Sequence, residues 1–257
     1  MFVAGFNPGL LVLEDSTTQA KMISRMFEDQ GASVTAVTTP REFSSAPHLF
    51  DLKVNAALID VHFGEVSGLK LIEPLSRRWP SAVLIMMTAN DTDDFAVLAK
   101  AREKGAHLVL KKPFKREDVM ETLADIKSIQ ETGARRKHIV LIDDSKTTCR
   151  IASDLLRAHG FRVSSFQSGL SAIQQLNYDH VDAVLTDMHM PEMSGSELIC
   201  LVRDVWANVP IVAMSADEKL ASQKFDVDAF VQKPFGPEEI ISVLKNVMRR
   251  EEMELDC

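Results

Sequence analysis

Cysteine is scarce in this chain. Its three thiols, Cys149, Cys200 and Cys257 in 257 residues, lie far apart, form no CxxC pair and offer no disulfide framework. Reduced cysteines of this kind suit a cytosolic protein. Long apolar runs are missing too, and nothing approaches the ~20 residues that a membrane span needs. The N-terminal stretch "MFVAGFNPGLLVLED" has no early cations and meets Pro8 and Gly9 before its apolar run, which makes it a poor signal peptide. The expectation is a cytoplasmic protein without membrane contact. The one run of three consecutive cations is Arg135-Arg136-Lys137, and the net charge is −8, so a general nucleic-acid binder is not expected. No GxGxxG follows the first apolar run of either half, and no Gly-rich ATP loop is evident.

What the sequence does contain is a repeat. "VLTDMHMPEMSG" (Val184–Gly195) is echoed by "ALIDVHFGEVSG" (Ala57–Gly68), an offset of 127 residues. "LLVLEDS" from Leu10 matches "IVLIDDS" from Ile139, and "VLIMMTA" from Val83 matches "PIVAMSA" from Pro210. "LKKPF" from Leu110 matches "VQKPF" from Val231. All four phrases recur in the same order, which is the pattern of a tandem duplication. A period of 127 residues is the usual size of one domain. The expected plan is a domain over 1–130, a polar linker over 131–137, a second domain over 138–250 and a polar tail over 251–257.

Each phrase is a short apolar run ending in a polar residue, as buried parallel strands do. Amphipathic stretches lie between them. "TTQAKMISRMFEDQG" is expected to present Met22, Met26 and Phe27 on one helical face and to stop at Gly31. "KTTCRIASDLLRAHG" is expected to do the same with Ile151, Leu155 and Leu156 and to stop at Gly160. Strands alternating with helices predict α/β domains with parallel sheets.

In a doubly wound sheet, functional groups gather at the carboxyl ends of the strands. Those ends read Glu14-Asp15, Asp60, Thr88 and Lys112 in the first copy, and Asp143-Asp144, Asp187, Ser215 and Lys233 in the second. Each copy thus offers three carboxylates, a hydroxyl and an ammonium. Crowded carboxylates repel one another. A divalent cation relieves this, and Mg²⁺ takes one or two carboxylates, a carbonyl, waters and a phosphate oxygen. An aspartate beside Mg²⁺ can attack a phosphoryl group while the hydroxyl and lysine hold its oxygens.

With these residues in place, both halves resemble the receiver domains of two-component response regulators, over residues 9–130 and 138–250. The resemblance implies a flavodoxin-like (βα)₅ fold, a five-stranded parallel sheet of order 2-1-3-4-5 in each half. It implies that Asp187 is the phospho-accepting aspartate. Asp143 and Asp144 would be the acidic pair, with Asp144 and the His189 carbonyl as Mg²⁺ ligands. Ser215 and Lys233 would contact the phosphoryl group, and Lys233-Pro234 would be cis. The matching positions in the first half are Glu14, Asp15, Asp60, the His62 carbonyl, Thr88 and Lys112.

The function so implied is a phosphorelay component. A sensor histidine kinase or histidine phosphotransfer protein would phosphorylate Asp187, and Asp60 with it. The output would be a changed protein–protein contact, with no separate output domain and no enzymatic turnover beyond phosphotransfer and autodephosphorylation. Two related readings stay open: a phosphoryl sink or relay intermediate, and the receiver portion of a longer regulator such as a diguanylate cyclase. An aspartyl phosphatase would want an aspartate two residues after the nucleophile, where His62 and His189 stand. Those imidazoles could instead tune the lifetime of the phosphoryl group.

The copies differ in three places. Phe63-Gly64 replaces Met190-Pro191, which loosens the loop after the acceptor in the first half. Phe230 stands three residues before Lys233, but Val109 before Lys112, so the first half lacks an aromatic that could swing between two pockets. Ser215 to Lys233 spans 18 residues against 24 from Thr88 to Lys112, so the fourth helix of the second half is expected to be short or irregular.

Overall fold

Runs of apolar residues that must be shielded on both sides form the centre of each half. β3 (Ala56–Asp60) and β10 (Ala183–Asp187) are buried along their whole length, which is why their sequences are continuous rather than alternating. The computed structural model describes residues 5–89, 100–176, 181–191, 193–205, 207–217 and 225–255. It divides the chain into two units, Met1–Arg135 and Arg136–Cys257.

In the first unit β1 (Gly9–Leu13), β2 (Ser33–Val37), β3, β6 (Val83–Thr88) and β7 (Leu108–Lys111) form one parallel sheet in the order β2-β1-β3-β6-β7. A separate antiparallel hairpin joins β4 (His62–Phe63) to β5 (Val66–Ser67). In the second unit β8 (His138–Ile142), β9 (Arg162–Phe166), β10, β11 (Ile211–Ser215) and β12 (Ala229–Gln232) are ordered β9-β8-β10-β11-β12. Each main sheet therefore follows the 2-1-3-4-5 order that the resemblance implies.

The last residue of the "EDS" and "DDS" phrases begins the first helix of each unit. Ser16 caps Thr17–Glu28 by accepting from the Gln19 N–H, and Ser145 caps Lys146–Ala158 by accepting from the Thr148 N–H. Ile23 and Phe27 from the first of these helices, and Val119, Leu123 and Ile126 from the helix Arg116–Thr132, pack on Leu10, Val12, Leu58 and Ile85. In the second unit, alternate residues of one strand serve opposite faces. Ile139 and Leu141 join a core with Leu156, Ile240 and Leu244, whereas Val140 and Ile142 join Leu198, Ile199 and Val202. Burying one such side chain contributes about 2 kcal/mol, so helices on both faces hold the central strand ends in fixed register.

Two core assignments made from helical periodicity are corrected. Met22 is 53% exposed and Ile151 is 62% exposed. The buried stripes run instead through Ala20, Ile23 and Phe27, and through Cys149, Ala152, Ser153 and Leu156. At 100° per residue, Met22 and Ile151 fall on the far side of those stripes. Met26 and Leu155 sit at the stripe edges, partly buried against the core. The final helix runs from Pro237 to Leu255. The expectation of a short fourth helix in the second unit falls on residues 218–224, which lie outside the described residues. None of the described helices is long and apolar enough to cross a membrane.

Candidate functional site

The carboxyl ends of the parallel strands bring the acidic residues of each unit together. Glu14 and Asp15 follow β1, and Asp60 ends β3, the neighbouring strand. Carboxylate oxygens of Glu14, Asp15 and Asp60 lie within 4.8 Å of one another, as do those of Asp143, Asp144 and Asp187. In each triad two members are buried and one, Asp15 or Asp144, is exposed. Such a set of hard oxygen donors with one open side suits a small divalent cation.

A lysine immediately after the fifth sheet strand closes each triad. Lys233 Nζ donates to Asp143 Oδ2 at 2.7 Å and lies 2.9 Å from Asp187 Oδ2. Lys112 Nζ donates in the same way to Glu14 and Asp60. Burial works against both ammonium groups, yet the hydrogen bonds they donate to two buried carboxylates, and the charge of those carboxylates, outweigh it and raise the pKa of each lysine. Both Lys-Pro bonds, Lys112-Pro113 and Lys233-Pro234, are cis. Both lysine backbones are tied to the hydroxyl residue, with Lys112 N donating to Thr88 O and Lys233 N to Ser215 O, each at 2.7 Å.

The glutamate in the first unit changes the balance. Burial raises the pKa of Glu14, Lys112 opposes the shift, and Asp60 adds to it. Its longer side chain still reaches back to accept from the Ser16 N–H at 3.2 Å, as Asp143 accepts from the Ser145 N–H at 2.9 Å.

Asp60 and Asp187 are each also held by a backbone N–H two residues on. His62 N donates to Asp60 Oδ1 at 3.1 Å, and His189 N donates to Asp187 Oδ1 at 3.2 Å. The hydroxyls stand on the next strand, each one residue beyond the partner of its aspartate, since Asp60 pairs with Met87 and Asp187 with Met214. Thr88 and Ser215 are both buried. Ser215 Oγ accepts from the Asp217 N–H at 2.9 Å and has His189 Nδ1 3.5 Å away. Phe230 lies partly buried, 6.4 Å from Phe225 between ring centres. Val109 occupies the matching place in the first unit.

Every residue proposed from the sequence thus lies at the carboxyl edge of its own sheet. Three contributors were not foreseen. Gly64 donates its N–H to Asp15 Oδ2 at 3.2 Å. Cys149 Sγ lies 3.2 Å from the Asp143 carbonyl, and burial together with the Asp143 charge raises its pKa. The glycine ending the repeated phrase is required by space: a Cβ on Gly68 would lie 2.1 Å from the Asp60 carbonyl oxygen. On Gly195 it would lie 2.6 Å from the Met188 methyl. The recurrence of that glycine was the only sequence signal for this contact.

The sequence model of the response regulator receiver domain matches residues 10–124 and 139–245. A CpxR-homologue transcriptional regulatory protein of Haemophilus influenzae is 32% identical over 116 residues, covering 44% of this chain and 50% of that protein. The probable histidine kinase 6 of Oryza sativa subsp. japonica is 28% identical over 137 residues, covering 44% of this chain and 14% of its own. A solved structure of a probable two-component system response regulator/GGDEF domain protein aligns with 22% identity and a TM-score of 0.43, over 96% of this chain and all of that one. This chain spans only part of the length of the curated relatives it matches, 50% for the Haemophilus protein.

Proposed function

Since the chain belongs to the response regulator receiver family through both of its units, we propose that it is a phosphorelay component that accepts phosphoryl groups on Asp187 and Asp60. The donor is a phosphohistidine of a sensor histidine kinase or histidine phosphotransfer protein. The observation that carries this reading is the lysine bridge, which appears twice. In each unit one ammonium spans the acceptor aspartate and a buried acidic partner.

A carboxylate oxygen of Asp187 attacks phosphorus as the P–N bond of the donor breaks, and the imidazole leaves with the electron pair. The His189 N–H holds the other side of the carboxylate in line. Lys233 turns from Asp187 toward a phosphoryl oxygen, which keeps its charge paired. The Ser215 hydroxyl gives up its bond with the Asp217 N–H and donates to another phosphoryl oxygen. Asp143, Asp144, Asp187 and the His189 carbonyl would hold Mg²⁺, as would Glu14, Asp15, Asp60 and the His62 carbonyl in the first unit. When bound, Mg²⁺ neutralises the phosphoryl oxygens, and positioning plus neutralisation is most of what phosphoryl transfer needs. The rearrangement at Ser215 and Lys233 biases the unit between two states, and the altered surface is read by a protein partner.

Intact mass after treatment with acetyl phosphate and Mg²⁺ tests this. The expected result is two phosphoryl additions on the wild type, one abolished by Asp60→Ala and the other by Asp187→Ala. A single addition that only Asp187→Ala removes would restrict the chemistry to the second unit. No addition from acetyl phosphate or from a phosphorylated phosphotransfer protein would overturn the reading.

A further inference from the structure

The loop after the acceptor is bridged alike in both units, His62 with Ser67 and His189 with Ser194, but its tip differs in sequence. In the first unit this loop is the hairpin β4–β5, with His62 paired to Ser67 and Phe63 to Val66. Phe63 is fully buried and anchors the hairpin. Gly64 sits at its tip with φ +59. That left-handed conformation, natural to glycine, aims its N–H at Asp15 Oδ2, 3.2 Å away. Asp15 is the exposed member of the triad, the carboxylate most open to an incoming ion. The matching residue in the second unit is Pro191. Proline has no N–H, so Asp144 cannot receive this bond.

We propose that the Gly64 N–H is a latch on Asp15 that competes with a divalent cation, so that the first unit loads Mg²⁺ less readily than its carboxylates alone would allow. This rests on the reading of the triads as metal sites. The positive end of the N–H dipole draws on the same carboxylate charge that would bind the ion. A bound cation would face that dipole at close range. The loop cannot swing aside freely, because Phe63 would have to leave the core. Asp15 is exposed, so water replaces the lost bond in part, and removing the latch is expected to tighten Mg²⁺ binding about fivefold. The two units then load at different Mg²⁺ levels, and the Phe63-Gly64 loop governs when the first becomes competent.

The test is a Mg²⁺ titration of the full chain followed by amide NMR. Gly68 reports the first site and Gly195 the second, since each lies against its acceptor segment. In the wild type the Gly64 amide proton should move upfield in step with Gly68, as its bond to Asp15 is lost. The variant carrying Phe63→Met with Gly64→Pro, the pair that the second unit uses at these positions, should lower the Gly68 midpoint about fivefold and leave the Gly195 midpoint in place. Gly64→Asn keeps the N–H, tolerates φ above zero, and should titrate like the wild type. A Gly64 amide that stays still while Gly68 titrates would overturn the latch, as would an unchanged or higher Gly68 midpoint in the double variant. If Gly195 responds and Gly68 responds in neither protein, the latch fails while the metal reading of the second unit stands. If neither glycine responds, the metal reading itself fails and the latch with it.

Discussion

Lys233 Nζ lies 2.9 Å from Asp187 Oδ2, with Asp143 on its other side at 2.7 Å. Lys233→Met leaves two buried carboxylates facing each other without their cation. Unpairing a buried ion pair costs several kcal/mol, and the lysine is partly open to solvent, so a loss of about 2 kcal/mol is expected for the second unit in EDTA. Millimolar Mg²⁺ should recover most of it. Thermal unfolding with and without Mg²⁺ measures this, and a deficit that Mg²⁺ does not touch would separate the lysine from the proposed metal site.

The terminal glycines of the repeated phrase should not be equivalent. An Ala at Gly68 meets a backbone carbonyl at 2.1 Å, whereas at Gly195 it first meets the end of the flexible Met188 side chain. Overpacking costs about 1–3 kcal/mol. Gly68→Ala is expected near the top of that range and Gly195→Ala near the bottom. Urea unfolding of the two variants gives the ranking, and the reverse order would contradict this packing.

His189 should act on the lifetime of the phosphoryl group. Its imidazole stands 3.5 Å from Ser215 Oγ, and in the proposed phosphorylated state a ring there would limit the approach of water. His189→Ala keeps the backbone N–H and carbonyl, so Mg²⁺ affinity should hold while phospho-Asp187 decays faster. Phosphoprotein decay by intact mass measures the rate. An unchanged rate would leave only the backbone of His189 with a role.

The first unit carries a pH-dependent joint away from the acidic triad. The Leu84 N–H donates to His107 Nδ1 at 3.0 Å, a bond that requires that nitrogen to be unprotonated. The residue keeps solvent exposure, and burial around its ring lowers its pKa below the ordinary 6.5. The unfolded chain therefore takes up its proton first as pH falls. The contribution of the neutral ring is present above pH 6.5 and lost as pH drops through the lowered value. The protection factor of the Leu84 amide should fall across that window. His107→Gln offers an acceptor that does not titrate and should flatten the decline.

Much of this was legible along the chain because it depends on short-range pattern. Continuous apolar runs of five residues forced strands that are buried on both faces. The order acidic pair, Asp, hydroxyl, Lys-Pro, written twice, identified two copies of one site. Those features are fixed by the residue types and by the parallel topology, which places every strand end on one edge. The periodicity of the first helix in each unit was less informative. The sequence pattern places Met22 and Ile151 on the apolar face, yet the buried stripes run through Ala20, Ile23 and Phe27 and through Cys149, Ala152 and Leu156. A stripe of sequence shows that a helix has a face, but only the packing shows which of two neighbouring apolar rows meets the sheet.

The loop after the acceptor shows the same division. Phe63-Gly64 in place of Met190-Pro191 marked a looser loop, and composition could say no more. In the folded chain Phe63 is buried within a hairpin, and the Gly64 N–H at its tip meets Asp15, 49 residues earlier in the chain. The sequence by itself determined which groups gather at the strand ends and how many times the site occurs. The tertiary structure decided which of those groups are already engaged, because hydrogen bonds between distant segments depend on where packing leaves each backbone.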